Sequence, residues 1–293
     1  MNNLTLPTRL YKYYSCSGEN EQRIEARLKG EIFFSSPLNF NDPYDCQFPD
    51  IINNTKSCSI YEVKKILSEE CFDADVVYEK LLKGDKTTIQ AVYERQAKLL
   101  GILCLTNSCE KILMWSLYAM NNGMCLEYDK HALSKENLFS YIEPKIVSRN
   151  DISLSTFSCK RILMGNVEYV PQLDADVKLF FNDMPKDIIK KYWQKLDIWE
   201  KEEEFRIGVS LGGDVAIRIP NVVRHIYLGC NCTMYQVAKI WILCQKNRLD
   251  IPISIMKKTS SGLMPVAIPA QRLNYIMKGL DDSNNLFWDE YNS

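Results

Sequence analysis

The chain has 293 residues, a formal net charge of -1, and a composition that is 46% hydrophobic and 25% charged. A chain of this kind builds a substantial globular core, and its near-neutral charge excludes binding to nucleic acid or membranes through bulk electrostatics alone. The first residues lack a basic stretch followed by an apolar core, and no apolar run approaches the roughly 20 residues that span a membrane. We therefore expect a cytoplasmic protein that does not associate with membranes.

The 11 cysteines are expected to be reduced, because no secretory signal is seen and many of them lie in apolar runs. Cys230 and Cys232 form an isolated C-x-C pair, and only 2 histidines are available as further ligands. A structural zinc ion usually takes about four such ligands at suitable spacing. We therefore predict no metal site.

The chain begins with a predicted strand, short helix and second strand. Residues 10–14 (LYKYY) are rich in aromatic side chains, which favour a strand. A helix with Ile24 and Leu28 as its buried stripe follows, and Gly30 ends it as a left-handed cap. Residues 31–35 (EIFFS) predict the second strand.

Residues 36–45 (SPLNFNDPYD) contain two prolines and several Asn and Asp side chains, so they predict an ordered loop without regular structure. Two interpretations stay open for this loop. Its polar side chains form a network of Asx turns that shapes the chain, or they contact a ligand.

Residues 55–100 carry apolar side chains at spacings of three and four, which predict two or three helices in an insertion. The apolar run 101–106 (GILCLT) predicts a central buried strand. Residues 111–119 predict a helix of about two turns, in which Trp115 and Tyr118 share one face.

The rest of the chain alternates between strands and helices. Strands are predicted at residues 124–129, 141–147, 215–219, 222–228, 251–256 and 263–268. Gly212 and Gly213 predict a hairpin turn before one of these strands. Thr233 predicts the start of a helix.

Residues 199–211 (WEKEEEFRIGVSL) form the most unusual stretch. From Glu202 onward, charged side chains alternate with others, which predicts a strand with Glu202, Glu204 and Arg206 on one face. Alone, such a face is most often solvated. Beside the ordered loop at 36–45 and an aromatic helix face, it is predicted to be the wall of a pocket.

No internal repeat, low-complexity tract or long linker divides the chain. We therefore predict a single α+β domain at residues 1–280, with a mixed, mostly antiparallel sheet core and the helical insertion at 55–100. Residues 281–293 predict an acidic, loosely held tail.

Four blocks of the chain resemble the bacterial and phage family called domain of unknown function 2971, over roughly residues 9–230. The blocks are LYKY at 10–13; FSSP at 34–37 with NFNDP at 39–43 and Asp45; LMW at 113–115 with Tyr118; and Trp199 with Glu202, Glu204 and Arg206. The chain departs from the family at Leu117, where a histidine is usual, and in a turn to Gly123 that is one residue shorter. This resemblance implies a family but no activity.

The chain more distantly resembles ADP-ribosyltransferases in topology and residue type, which implies an ADP-ribosyltransferase-like fold and NAD as a substrate. In that superfamily, a first strand bears an Arg or His that grips the dinucleotide, and a short helix leads to a strand that ends in Ser or Tyr. A later strand carries the catalytic Glu, often as Glu-x-Glu. Here the first strand offers Lys12, or Arg9 just before it, and Glu202-Glu203-Glu204 comes much later.

The resemblance implies roles for these side chains. A carboxylate stabilises the positive charge that develops at the ribose carbon as nicotinamide leaves, and Glu204 takes this role while Glu202 orients or deprotonates the acceptor. The implied binding residues are Arg9, Lys12 and Arg206 for phosphates; Tyr11, Trp115 and Tyr118 for stacking; and Ser36, Asn39, Asn41 and Asp42 as a polar rim.

Three functions stay open. The first is NAD-dependent transfer of ADP-ribose to a protein or nucleic acid, in a toxin or phage-defence setting. The second is a magnesium-dependent hydrolase or nuclease, with Asp42, Asp45, Glu202 and Glu204 as ligands. The third is a noncatalytic sensor or adaptor whose polar network is structural. The acceptor and the oligomeric state are open as well.

Overall fold

The structure is a computed structural model that describes residues 7–16, 18, 20–46, 51–57, 60–61, 73–148, 162–173, 177–179 and 192–278. The predicted acidic tail at 281–293 lies outside the described residues, and so does most of the predicted helical stretch between 58 and 72.

The strands, in chain order, are β1 Leu10–Tyr14, β2 Glu31–Phe34, β3 Ile51–Ile52, β4 Gly101–Thr106, β5 Met124–Tyr128, β6 Leu163–Asn166, β7 Glu168–Val170, β8 Val177–Lys178, β9 Gln194–Leu196, β10 Glu204–Val209, β11 Val215–Arg218, β12 Val223–Leu228, β13 Ile253–Thr259 and β14 Gly262–Ala267. The helices are α1 Glu21–Leu28, α2 Ala74–Leu82, α3 Lys86–Lys98, α4 Ile112–Tyr118, α5 Lys135–Ser148, α6 Met234–Lys246 and α7 Ala270–Lys278. Single 3-10 turns are formed at Pro37–Asn39 and Thr55–Ser57, and a longer one at Asp197–Glu202.

The main sheet has the strand order β14-β13-β12-β5-β1-β4-β10-β6. The β12–β13 pair is parallel, whereas the β1–β5, β5–β12 and β13–β14 pairs are antiparallel. A mixed, mostly antiparallel sheet with helices is an α+β fold, so the predicted fold class is confirmed.

The chain divides into two compact units that interleave along the sequence. The first unit contains Phe33–Cys104 and Leu138–Ile217, and the second contains Thr5–Ile32, Leu105–Asn137 and Arg218–Ser293. The single domain predicted for 1–280 stays a prediction. Each unit is described by itself below.

In the first unit, a tryptophan lies across two neighbouring strands. Trp193 is 1% exposed, and its indole N–H donates to the carbonyl oxygen of Gly165 in β6 at 3.2 Å. Gly208 of β10 lies so close that a Cβ atom there would be 2.6 Å from the indole ring. The glycines of β6 and β10 therefore make the room that this large side chain needs.

In the second unit, the two faces of the sheet differ in chemistry. One face is aliphatic, with Leu126 of β5 paired to Ile226 of β12, both fully buried. The opposite face carries Tyr11 of β1 and Tyr227 of β12, and Trp115 of α4 completes its buried cluster. Alternation along each strand produces this division, because neighbouring side chains point to opposite sides.

The helix starts and stops follow local rules. Asn20 caps α1 by accepting the backbone N–H of Arg23 at 2.9 Å, and Gly30 takes the predicted left-handed conformation after it, with φ 85°. Thr233 and Gln236 form a capping box at the start of α6. The predicted cap at Thr233 is therefore confirmed.

Two predictions of local structure are wrong. Residues 141–147 lie in helix α5, where Leu138 and Ile142 are buried one turn apart, so the helical period decides against a strand. Gly212 and Gly213 do not open a hairpin, because β11 pairs with β2 and the two glycine N–H groups donate to carbonyls at the end of α3. Among the described residues, no helix has the length and apolar character to cross a bilayer.

Candidate functional site

Five charged side chains of the first unit form a buried network, here called the ion cluster. Its members are Asp45, Lys195, Glu202, Glu204 and Arg206. Each is at most 6% exposed, and Arg206 is 0% exposed. The face predicted from the sequence is therefore not solvated, and its charges are neutralised within the protein interior.

Arg206 is the centre of one half of the ion cluster. Its Nε and Nη2 donate to the two carboxylate oxygens of Glu204 at 2.7 and 3.0 Å, and Nη2 also donates to Oδ2 of Asp45 at 2.5 Å. Nη1 donates to the backbone carbonyl of Tyr192 at 2.7 Å and contacts the Cys46 sulfur at 3.4 Å. All three guanidinium nitrogens are thus engaged, and the bidentate geometry fixes Glu204 in place.

Lys195 of β9 is the centre of the other half. Its Nζ lies 2.6 Å from Oε2 of Glu202, 3.5 Å from Oδ2 of Asp45 and 3.6 Å from Oε2 of Glu204. An ammonium group therefore occupies the position among three carboxylates that a divalent cation would take. Among the described residues, no group of three or more His, Cys, Asp or Glu side chains could hold a metal ion. The geometry therefore does not favour the magnesium-dependent hydrolase.

The chain brings Glu202 and Glu204 together by a turn instead of by strand alternation. Glu202 ends the turn Asp197–Glu202, and β10 begins only at Glu204. Between them, Glu203 takes a left-handed conformation with φ 45°. The predicted strand start at Glu202 is wrong, since the 3-10 turn continues to that residue. Glu202 and Glu204 nevertheless lie close together, because Lys195 contacts both carboxylates.

The ion cluster sets the protonation of its members. Burial alone would raise the pKa of Glu204, but the guanidinium of Arg206, through charge and hydrogen bonds, and the ammonium of Lys195 lower it to about 2. Burial alone would lower the pKa of Arg206, but Glu204 and Asp45 hold it well above its usual value. Both groups therefore carry their charges at neutral pH.

Two aromatic rings lie against the cations. The ring centroid of Phe40 is 5.1 Å from Cζ of Arg206, and that of Trp199 is 5.0 Å from Nζ of Lys195. Phe40 and Asp45 come from the loop at 36–45, so this loop and the Glu-rich stretch meet in the ion cluster. Two blocks about 160 residues apart in the sequence are thus parts of one network.

The remaining polar side chains of the loop shape the chain. Ser36 caps the turn that follows it, and its N–H donates to Asp214 at 3.1 Å, while the Asn39 amide donates to the same carboxylate at 2.6 Å. Asp42 accepts the N–H of Tyr44 at 2.9 Å in an Asx turn, and Asn41 is exposed. These contacts favour the Asx-turn interpretation of the loop over a ligand-binding rim.

A second group of polar side chains lies on the aromatic face of the sheet in the second unit, here called the sheet-face cluster. Its members are Arg9, Tyr11, Glu127, His225, Tyr227 and Ser254. The strand register places them together, because Tyr11 pairs with Glu127, Glu127 with His225, and Tyr227 with Ser254.

The contacts of the sheet-face cluster form a connected path. The Arg9 guanidinium donates to the Tyr11 hydroxyl at 3.4 Å, and the Tyr11 and Tyr227 rings meet edge to face at 5.9 Å. Tyr227 donates its hydroxyl to Oε2 of Glu127 at 2.8 Å. The His225 ring stacks on Tyr227 at 4.3 Å. A half-buried carboxylate and an exposed guanidinium therefore share one sheet face with aromatic rings.

Burial sets the protonation of the rings in the sheet-face cluster. It raises the pKa of Tyr11 to about 12, although Arg9 opposes the shift. Burial, together with the hydrogen bond to Glu127, also raises the pKa of Tyr227, so this phenol stays protonated and its hydroxyl donates a hydrogen bond. Burial lowers the pKa of His225 below 6.5, so its imidazole is neutral at pH 7.

The other predicted site residues of the second unit have structural contacts. Trp115 is 0% exposed, and its indole N–H donates to the Cys109 carbonyl at 2.7 Å. Tyr118 packs at the edge of the same aromatic core. Lys12 alternates with Tyr11 along β1 and therefore points to the opposite face, toward the Tyr14 ring.

Sequence reasoning missed five members of the two clusters. Lys195 stands in a polar stretch with no local pattern that marks it. Glu127 is the one acidic residue of an apolar strand, and His225 and Tyr227 stand two apart on another strand. Those two signals indicate shared polar faces, but Ser254 has no such signal.

Comparisons of the chain with protein-family models, with curated proteins and with solved structures find no match. The resemblances to domain of unknown function 2971 and to ADP-ribosyltransferases therefore stay predictions from the sequence blocks.

Proposed function

We propose that the chain cleaves the nicotinamide–ribose bond of NAD and transfers ADP-ribose to a macromolecule, with the sheet-face cluster as its site. The observation that carries the proposal is the half-buried carboxylate of Glu127, held by the Tyr227 hydroxyl at 2.8 Å on the same face as the exposed guanidinium of Arg9. A fixed carboxylate, a phosphate-binding cation and planar rings are the groups that this chemistry uses.

Glu127 takes the role that the sequence assigned to Glu204. When the bond breaks, nicotinamide leaves with the bonding electron pair, and positive charge develops at the ribose carbon. A carboxylate that accepts a hydrogen bond from a phenol is held in one orientation, so it stabilises this charge without first having to reorganise. Glu204 does not support this role, because Arg206 engages both of its carboxylate oxygens in the protein interior.

Arg9 would bind the pyrophosphate of the dinucleotide. Arg9 is exposed and lies just before the strand that carries Tyr11, so its guanidinium is available to a pyrophosphate. The pKa of the Arg9 guanidinium is raised, first by its hydrogen bond to Tyr11 and the electrostatic interaction with that phenol, and then by the charge of Glu127. The acceptor, a protein or nucleic acid in a toxin or phage-defence setting, stays a prediction.

The test uses the full chain with labelled NAD and cell extract. We expect nicotinamide release, label transfer and an NAD-dependent rise in melting temperature. Glu127→Gln should lower nicotinamide release at least 10²-fold and keep the thermal shift, because a neutral amide does not stabilise the developing charge. Glu110→Gln, at an exposed position of the same unit, is the matched control and should behave like the parent chain. Equal nicotinamide release by the parent chain and Glu127→Gln, or no effect of NAD at all, would refute the proposal.

A second candidate function is a noncatalytic sensor or adaptor. The closed ion cluster favours it, because three carboxylates that the sequence marked for chemistry or metal binding form ion pairs with Lys195 and Arg206. Under this function, NAD would raise the melting temperature of the chain but no nicotinamide would be released.

A further inference from the structure

His225 and Ser254 form a hydrogen-bonded pair within the sheet-face cluster. Nε2 of His225 lies 2.8 Å from the Ser254 hydroxyl, and the imidazole stacks on Tyr227 with ring centroids 4.3 Å apart and planes at 16°. Tyr227 in turn holds Glu127. The imidazole is therefore fixed both in its plane and at one nitrogen, next to the residue that holds the carboxylate.

We propose that His225 is the general base that takes the proton of the acceptor nucleophile, and that Ser254 positions it. The inference rests on the proposed function and deepens it, because it identifies the residue that activates the acceptor. The acceptor hydroxyl or amine forms a bond to the ribose carbon as the bond to nicotinamide breaks, and the electron pair of that bond leaves with nicotinamide. The acceptor proton goes to Nδ1 of His225 and then to solvent.

The hydrogen bond to Ser254 engages one of the two imidazole nitrogens of His225. A neutral imidazole has one N–H and one lone pair. The proposal requires the tautomer in which Nε2–H donates to the Ser254 oxygen, so that the lone pair is on Nδ1, which makes no hydrogen bond to any residue that the structure describes. Ser254 is 3% exposed, so its oxygen does not reach a substrate as a nucleophile itself. It is a positioning residue.

The charges around His225 are consistent with a base that works near neutral pH. Burial lowers the pKa of the imidazole, the carboxylate of Glu127 opposes this shift, and the guanidinium of Arg9 adds to it. The phenols of Tyr11 and Tyr227 have raised pKa values and stay uncharged between pH 5 and 8. Glu127 and Arg9 are therefore the charged groups, among the described residues, that act on this histidine.

The decisive variant is His225→Gln, with His131→Gln as its control. A glutamine amide still reaches Ser254 but has no titrating nitrogen, and His131 is an exposed histidine of the same unit. We expect His225→Gln to keep the NAD-dependent thermal shift and to lose about 10²-fold in the rate of label transfer. In the parent chain and in His131→Gln, transfer should rise with pH to a plateau through an apparent pKa below 6.5, and His225→Gln should lack this rise.

Ser254→Ala tests the positioning role separately. It should leave the KM for NAD unchanged and lower kcat for transfer about tenfold, and Ser254→Thr should restore part of the loss because it keeps the hydroxyl. Proton NMR of the imidazole Cε1–H signals, assigned with His131→Gln, gives a readout without activity. His225 should titrate below the ordinary histidine pKa of 6.5, and its titration should move in Ser254→Ala.

The outcomes separate the two proposals. If Glu127→Gln abolishes nicotinamide release but His225→Gln keeps the rate and pH profile of transfer, the general-base role is overturned and the proposed function stands. If Ser254→Ala changes neither kcat nor the titration of His225, the positioning role is overturned. If neither Glu127→Gln nor NAD itself has any effect, the proposed function fails first.

Discussion

Removing Lys195 from the ion cluster should destabilise the protein strongly. The cluster contains three carboxylates and two cations, and the Lys195 side chain is 4% exposed, with Glu202 2.6 Å away at 2%. Lys195→Met keeps most of the side-chain volume but removes one of the two cations that the ion cluster provides for its three buried carboxylates. Because an uncompensated buried charge costs about 3–5 kcal/mol, we expect the free energy of unfolding to fall by that amount.

A second substitution tests whether charge is the cause. Glu202→Gln in the Lys195→Met background removes the carboxylate nearest to the missing ammonium, so the net charge of the cluster returns to its original value. The double variant should recover about 1–3 kcal/mol of the loss, which is the size of coupling expected for directly contacting groups.

Urea unfolding at pH 7, followed by far-ultraviolet circular dichroism, measures these free energies. Lys83→Met is the control, because Lys83 and Glu79 are 3.8 Å apart with side chains 76% and 72% exposed. A solvated pair of this kind should contribute less than about 1 kcal/mol. If Lys195→Met costs no more than Lys83→Met, or if Glu202→Gln makes the double variant worse, the buried-charge reasoning is wrong.

Three further predictions follow from particular contacts. Burial alone would raise the pKa of Glu204, but Arg206 and Lys195 lower it to about 2 in the folded protein. The ionised Glu204 therefore stabilises the fold above its unfolded-state pKa of 4.5, and this stabilisation is lost as pH falls toward 2. Urea unfolding should show a loss of about 3 kcal/mol across that window, and Glu204→Gln should lack this loss. Trp115→Phe removes the 2.7 Å hydrogen bond to the Cys109 carbonyl and should cost about 1–3 kcal/mol in the same assay, whereas an unchanged midpoint would contradict the described packing. Gly208→Ala places a Cβ 2.6 Å from the Trp193 ring and should lower the free energy of unfolding by about 1–3 kcal/mol, with a change in near-ultraviolet circular dichroism of the tryptophan as the second measurement.

The sequence predicted elements well where their signal is local. Neighbouring residues alone predict two strands and one helix start: the aromatic run at 10–14, the apolar run at 101–106 and the cap at Thr233. The stretch 141–147 was predicted wrongly because a short apolar run fits both periods, and Leu138, one turn earlier, decides for a helix.

For the candidate site as well, the sequence predicts the features that have a local signal and misses those that have none. The sequence predicts that the loop at 36–45 and the Glu-rich stretch lie together, and they do meet through Asp45 and Arg206. Their role was not readable, because nothing local marks Lys195 as the cation that lies among the carboxylates. Whether a charged face becomes solvated, a pocket wall or a closed network depends on tertiary contacts of this kind.

The sequence by itself determined the α+β class, the main strands and helices, and the residue types that carry charge and aromatic rings, because these follow from alternation, capping and composition over a few residues. Only the tertiary structure decided that Glu202, Glu204 and Arg206 are neutralised in the interior. It also decided that Tyr11, Glu127 and His225 share one sheet face. The physical reason is that burial and strand register depend on segments that are far apart in the sequence, such as Asp45 with Arg206 and Tyr11 with Glu127, and these determine which charges meet.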